Sequence, residues 1–469
     1  MKKTKIVCTI GPASSNISTI TKLALAGMNV ARINFSHGSQ ESHKNIIENV
    51  KKVRENLGVP ISIMADTKGP EIRIKHFENN QVVLKKNRIF TLTTQDIIGT
   101  ESKVSLAYKQ LINEIKINDK IYANNGMLVL KVKQITQTDI VCKVLFGGKL
   151  SNNKGLNIPG IVPKVAFLSE KDKQDLKFAV ENDVDIVAAS FVSNDKNIKE
   201  LKGYLSSLDE SHIKIVSKIE NHDGVKNLKS IVQESDGIMI ARGDLGVEIP
   251  LEKIPAIQKR AVKICNSYGK SVIIATEMLE SMTSSIRPTR AEVSDVACSI
   301  YDKASATMLS GETAVGLYPE HTVKTMDKII KETEKNINYN KEFLLNKNET
   351  NSISDAISLA TCTNAVNLKA KLIVVFTETG NSANLVARYR VNTPILAITP
   401  SEKVYNWLSL SWGVSPELCP SIKTEEEMVE YAKKIALDKK LASKGDLIIV
   451  ELGSPNKIGK TNMLKAVTC

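Results

Sequence analysis

The chain has 469 residues, 42% hydrophobic and 25% charged, an ordinary globular composition that exceeds one core and implies about two to four domains. The net charge of +13 is mostly lysine spread along the whole chain, with only 4% aromatic residues, so the concentrated basic block with interleaved aromatics of a nucleic-acid binder is excluded. No apolar run reaches the ~18–20 residues of a membrane span, and the 7 cysteines are scattered without metal-ligand spacing.

The first strand is expected over Thr4 to Ile10, closed by Gly11-Pro12. That apolar run is too short for a signal-peptide core, so a cytoplasmic protein with free thiols is expected. A helix should follow from about Asn16 to Ala26, stopped by Gly27. The second strand, about Asn29 to Phe35, ends among Arg32, Asn34 and Ser36, followed by His37-Gly38. After a helix over about Gln40 to Leu57, a third strand from Ile61 ends in Asp66-Thr67-Lys68-Gly69-Pro70.

From about Glu71 to Phe167 the apolar pattern alternates with period two and is punctuated by turns such as Gly147-Gly148. This predicts a small β-rich domain inserted after the third strand. The α/β rhythm resumes at Ser169-Glu170-Lys171. The fourth strand is expected near Asp185 to Phe191, the fifth over Ile213 to Glu220 and the sixth from Gly237. The seventh, from Ser271, ends in Thr276-Glu277, and the eighth, from Ala304, in Ser310-Gly311-Glu312. Eight β-α repeats imply a (β/α)8 barrel, whose active sites lie at the C-terminal strand ends. A polar stretch from about Glu334 to Thr350 reads as a linker or a frayed helix end. An open α/β sheet is expected beyond it, with strands from Lys371, Pro394, Val414 and Asp446. The expected domains are residues 1–70 with 168–345, residues 71–167, and residues 346–469.

The fifth and sixth strands flank a helix-length segment, Asp223 to Ser235, so they should be parallel neighbours. Lys218, Glu220 and Asp244 then converge at one edge. A strand-end salt bridge accounts for such a set. So does a site for Mg²⁺, which binds through one or two carboxylates and shares substrate phosphates. Phosphoryl transfer needs positioning and charge neutralisation, and Lys218 is a point charge suited to a moving phosphoryl group. Gly243 permits close backbone approach to an anion, and a helix N-terminus is expected after Asp244. Thr276 reads either as a cap or as a proton relay. Asn34, Ser36, Asp66 and Thr67 offer oxygens for a monovalent cation or, equally, a strand-end hydrogen-bond network. Arg32 and Arg73 suit phosphate clamping.

The runs KTKIVCTIGP, MNVARINFSHG, ADTKGPEIR, KGLNIPG, AASFV, SKIEN, IMIARGDLGVEIP, TEMLESM, RPTRAEVSDVA and MLSGETA occur in this order. Together they resemble the pyruvate kinase family along nearly the whole chain, specifically its bacterial type without an extended N-terminal segment. The resemblance implies phosphoryl transfer from phosphoenolpyruvate to ADP, Mg²⁺ or Mn²⁺, K⁺ and a homotetramer. It implies that Glu220 and Asp244 bind the divalent metal, that Asn34, Ser36, Asp66 and Thr67 bind K⁺, and that Lys218 stabilises the transferring group. It assigns protonation to Thr276, substrate binding to Arg32, Gly243 and Asp244, and nucleotide contacts to Asn34, His37, Arg73 and Lys154. Members with glutamate at the place of Glu71 tend to need K⁺, and those with lysine do not.

The sequence departs from the family pattern at Asn124-Asn125-Gly126, where Asp-Asp-Gly is usual, at Glu277, usually glutamine, and at Lys303-Ala304-Ser305-Ala306. The loop Thr377-Glu378-Thr379-Gly380-Asn381-Ser382 carries an acid and no cation. Activation by sugar phosphates should therefore be weak, unless other residues such as Lys460 carry that site. A metal-dependent lyase or aldolase would share the metal site but need no nucleotide. A non-catalytic scaffold would not need Lys218, Glu220, Asp244 and Thr276 together.

Overall fold

Eight strands are buried almost along their full length, as parallel strands covered by helices must be. They appear in a computed structural model that describes residues 2–124, 126–161, 164–210, 212–345, 350, 352–422, 424–453 and 461–469. Asn125 of the altered turn and Lys460 lie outside these residues. The eight strands close into a parallel barrel in chain order, Lys5–Thr9, Val30–Asn34, Ser62–Asp66, Ile186–Ala189, Lys214–Ile219, Gly237–Ala241, Ser271–Ala275 and Ala306–Leu309.

Successive strand side chains point to opposite faces. Ile6 and Cys8 join the core between barrel wall and helices, with Ile20 and Leu23 of the first helix. Val7 turns inward to Val30, Met64, Val216 and Met239. That inner core continues without a break into one face of the C-terminal sheet, through Ile373, Ile395, Trp407 and Leu410. Polar contacts seal the same junction. Ser62 Oγ meets Ser409 Oγ at 2.8 Å, and Lys5 Nζ donates to the Val414 carbonyl at 2.7 Å. The C-terminal sheet therefore covers the N-terminal end of the barrel strands and leaves the C-terminal ends for chemistry.

Helix boundaries follow their caps. Asn16 accepts from Thr19 N–H, Gly27 ends that helix, and Ser169 and Thr289 form capping boxes. The inserted segment forms a seven-stranded sheet in which Ile72–Arg73, where the chain leaves the barrel, pairs with Gly155–Asn157, where it returns. Gly69 makes the exit turn at φ +69°, and a Cβ there would lie 2.9 Å from Ser190 Cβ. Only glycine fits that turn.

Four sequence expectations change. The segment Asp223 to Ser235 forms two short helices, His222–Lys226 and Leu228–Glu234, separated at Asn227. The stretch read as a linker or a frayed helix end begins with the end of the helix Pro319–Lys335 and then holds a further helix, Tyr339–Leu345, because Tyr339 and Phe343 have a core to enter. The C-terminal sheet gains an antiparallel fifth strand, Thr461–Thr468. The helix expected after Asp244 begins at Arg242 and runs to Glu248, placing Gly243 and Asp244 in its first turn. Among the described residues no helix is long and apolar enough to cross a membrane.

Candidate active site

Lys218 is the penultimate residue of its strand, and its side chain is almost wholly inside the barrel mouth. Its ammonium donates to Ser190 Oγ at 2.7 Å and to Asp66 Oδ1 at 3.0 Å. It also lies 2.8 Å from Glu220 Oε1. That third contact is an ion pair, and the buried Glu220 Oε1 has no partner besides this ammonium. Burial pulls the Lys218 proton affinity down, but Asp66 and Glu220 more than reverse this, so the ammonium stays charged. For Glu220 the balance runs the other way. Burial pushes its carboxyl up to about 7, Lys218 opposes the rise and Asp244 adds to it.

Asp66 ties this group to Arg32, whose Nε donates to Asp66 Oδ2 at 2.6 Å and whose Nη1 donates to Thr9 Oγ1 at 2.8 Å. Burial raises the Asp66 proton affinity, but Arg32 and Lys218 outweigh it and hold the carboxyl below the usual range. Arg32 and Lys218 are thus fixed by one buried anion, a preorganised pair of cations facing the mouth. Asn34 and Asp66 lie opposite each other in register. Asn34 Oδ1 accepts from the Ser36 N–H at 3.0 Å, and the Thr67 carbonyl accepts from Ser190 Oγ at 2.7 Å. These oxygens each retain a lone pair, so both readings of the set, network and cation site, are compatible with the geometry.

On the other side of the mouth, Thr276 and Glu277 adopt left-handed backbone conformations, φ +69° and +57°. Such residues cost about 1–3 kcal/mol each and persist where the surroundings over-determine them. Arg242 supplies that restraint. Its Nη2 and Nε donate to the Thr276 carbonyl at 2.7 and 3.2 Å, while Nη1 holds Asp295 at 2.8 Å. Thr276 Oγ1 accepts the Gly243 N–H at 3.0 Å, and a Cβ on residue 243 would come within 3.2 Å of Thr276 Cγ2. The absent side chain lets helix and threonine meet.

Arg73 does not reach into the mouth. Its Nε donates to Glu71 Oε2 at 2.7 Å and its Nη1 to the Asn153 carbonyl at 3.0 Å. With Lys154 and Arg32 it still lowers the proton affinity of His37, after the larger effect of partial desolvation, so these three cations form one electropositive side of the site around His37. In the C-terminal sheet, Gly380 turns at φ +83° against Trp407, and its N–H donates to Thr377 Oγ1 at 2.9 Å.

Sequence reasoning did not single out Thr9, Ser190, Arg242 or Asp295. All four stood in recognised runs, KTKIVCTIGP, AASFV, IMIARGDLGVEIP and RPTRAEVSDVA, so a signal existed. Thr9 and Asp295 contact the site only through another side chain.

Among the described residues no three His, Cys, Asp or Glu side chains are grouped to hold a metal ion. Glu220 Oε1, whose sole partner is the Lys218 ammonium, with Asp244 near enough to raise its proton affinity, fits an ion such as Mg²⁺ that takes its remaining oxygens from substrate and water.

The family described as "Pyruvate kinase, barrel domain" matches residues 1–323, and "Pyruvate kinase, alpha/beta domain" matches residues 355–467. The chain belongs to the pyruvate kinase family. It is 43% identical to the pyruvate kinase of Clostridium acetobutylicum over 99% of both chains. It is 42% identical to that of Geobacillus stearothermophilus over 99% of this chain and 80% of the relative. The crystal structure of a pyruvate kinase from Cryptosporidium parvum superposes with a TM-score of 0.94 at 37% identity, covering 100% of this chain and 96% of the other. The protein is a phosphotransferase that passes the phosphoryl group of phosphoenolpyruvate to ADP, yielding pyruvate and ATP, the last step of glycolysis. Pyruvate kinases need a divalent metal ion, and many of them K⁺ as well.

Proposed function

We propose that the barrel mouth carries this transfer with Lys218 at the moving phosphoryl group. The observation behind the reading is the fixed Lys218 ammonium among Asp66, Ser190 and Glu220. Arg32 binds the phosphate from the side. Glu220 and Asp244 would hold Mg²⁺ or Mn²⁺, which neutralises phosphate charge when bound. The backbone of Gly243 and Asp244 receives the substrate carboxylate. Since Thr276 Oγ1 accepts from Gly243 N–H, its own hydroxyl hydrogen is turned elsewhere, able to take part in protonating the enolpyruvate carbon. Asn34, His37, Arg73 and Lys154 contact the nucleotide phosphates. The test is pyruvate formation from phosphoenolpyruvate and ADP, with Mg²⁺ and K⁺ supplied or withheld.

The domain reading is residues 1–70 with 168–345 for catalysis, residues 71–167 as a lid, and residues 346–469 for regulation and subunit contact. The protein acts as a cytoplasmic homotetramer that takes phosphoenolpyruvate and ADP and binds no nucleic acid. Lid closure excludes water from the phosphoryl group. Adding Mg²⁺, ADP and oxalate should slow amide exchange at residues 69–73 and 155–161, the two crossings between sheet and barrel. Unchanged exchange at both would remove the lid reading.

Asn34, Ser36, Asp66 and Thr67 would hold K⁺. Glu71 adds negative charge nearby, although Arg73 is bound to it. Activity should fall about tenfold or more when tetramethylammonium replaces K⁺, because a unit charge 4 Å away is worth ~4 kcal/mol at intermediate dielectric. Glu71→Lys should lower activity in K⁺ and flatten the dependence on it. Full activity of the unmodified protein without K⁺ would end this assignment.

A further inference from the structure

Arg390 takes no part in the steps above, yet it is only 6% exposed. Its backbone is left-handed, φ +54°, a conformation that persists where the surroundings hold it. Three acceptors hold this side chain, all through Nη2. They are Asn266 Oδ1 at 2.7 Å, the Lys303 carbonyl at 3.1 Å and Ser305 Oγ at 3.1 Å. One face of the guanidinium lies over the Trp412 ring, 4.5 Å from its centroid. The Nε edge is different. That nitrogen is buried and meets no acceptor, and among the described residues no carboxylate forms an ion pair with this guanidinium. A buried donor on a charged group is costly to leave unmatched.

Arg390 lines a small cleft where the barrel meets the C-terminal domain. The cleft measures about 10 Å³, room for about one water-sized sphere. Lys270, Ser271 and Ser305 line it at the starts of the seventh and eighth barrel strands, and Arg388, Arg390 and Trp412 line it from the C-terminal domain. Three lining side chains are cations and none is a carboxylate. Arg388 has Asp355 as its countercharge, at 2.9 Å. Lys270 forms no ion pair among the described residues. Burial lowers its proton affinity and Asp236 opposes this. Lys270 and Arg390 therefore face one small space without a countercharge. The occupant that matches them accepts hydrogen bonds, is negative and is about the size of a water molecule. Water would satisfy the Nε donor but not the charge, and a tetrahedral oxyanion exceeds the room.

We propose that this cleft binds one chloride ion between Lys270, Arg388 and Arg390, and that the ion fastens the C-terminal domain to the N-terminal end of the barrel. Burial brings the Arg390 pKa down to about 9, with Tyr339, Cys265 and Glu334 opposing. An anion in the cleft adds to that opposition, because a neighbouring negative charge favours the charged form of an arginine.

The experiment follows amide exchange at residues 266–271 and 384–390 of the unmodified full chain. Potassium chloride is compared with potassium gluconate at one pH and ionic strength, so K⁺ and screening stay constant. Protection of both segments should rise with chloride and level off, standing about tenfold above the gluconate value once chloride reaches about ten times its dissociation constant. Bromide should substitute, and crystals grown in bromide should show its anomalous signal beside Arg390 Nε. Lys270→Met keeps an unbranched stem and removes only the charge, so it should fold and raise the chloride concentration for half-protection about tenfold or more. Arg390→Met should abolish the chloride dependence. If that variant does not fold, Lys270→Met carries the test. Equal exchange in the two salts, a rise that never levels off, or a Lys270→Met chain that matches the unmodified one would each overturn the proposal. So would a bromide signal at crystal concentration without the solution effect, which marks an adventitious ion only. The same saturable protection from sulfate would overturn it too, by making the ligand an oxyanion.

Discussion

Replacing Lys218 with methionine should lower kcat by about 10²–10³ while leaving the barrel folded. The magnitude is that of one lost charge contact to the transition state, ~3–4 kcal/mol in a site shielded from water. Methionine keeps an unbranched stem of similar reach, so the apolar packing of the side chain survives and only the charge leaves. Breaking a buried pair by removing one partner often costs ~3–5 kcal/mol of stability, because the other charge is stranded. Here Asp66 would not be stranded, since Arg32 holds its second oxygen at 2.6 Å. Glu220 keeps the Phe191 N–H on Oε2 at 2.6 Å. The folded state should therefore persist, with a lower melting temperature measured by circular dichroism. Lys218→Arg should not restore the rate. A planar guanidinium cannot replace a compact ammonium already surrounded by Asp66, Ser190 and Glu220. A near-normal kcat in the methionine variant would mean that Lys218 is not at the transferring group.

The barrel was legible because each parallel strand is a short apolar run that breaks into polar residues at one end, as Ile215-Val216-Ser217-Lys218 does before Glu220. The inserted sheet announced itself by a change of period, from helical spacing to alternation. The strand Thr461–Thr468 did not. It is an edge strand with mixed exposure, and Asn462 and Lys465 interrupt any alternation. The helix Tyr339–Leu345 was hidden in polar sequence because its stability comes from Tyr339 and Phe343 entering a core made elsewhere.

Within the mouth, residue types at strand ends pointed to Lys218, Glu220, Asp66 and Asn34. The partners did not follow from type. Lys218 reaches Asp66 across the intervening strand end that carries Ser190, a contact that exists only once the barrel has closed. The left-handed backbone of Thr276 and Glu277 had no sequence signal either, since neither residue favours it. The restraint that holds it, Arg242, belongs to the neighbouring strand end.

Glu220→Gln and Asp244→Asn should each raise the Mg²⁺ concentration for half-maximal activity by about 10- to 100-fold or more. Partners one shell out from a metal are commonly worth that much, and a direct anionic oxygen should be worth no less. The two variants should nevertheless differ. Asp244 is partly exposed in the first turn of its helix, so its loss should act mainly on metal affinity, and saturating Mg²⁺ should recover most of kcat. Glu220 is 1% exposed, receives the Phe191 N–H and lies against Lys218. An amide there removes a charge that keeps Lys218 protonated and puts an N–H donor on one of its two terminal atoms, facing either that ammonium or the Phe191 N–H. Saturating Mg²⁺ should then leave kcat depressed. Mn²⁺ binding followed by electron paramagnetic resonance, without substrate turnover, gives the affinity change directly. Binding and activation curves that coincide with those of the unmodified protein in both variants would remove Glu220 and Asp244 as the metal's protein ligands.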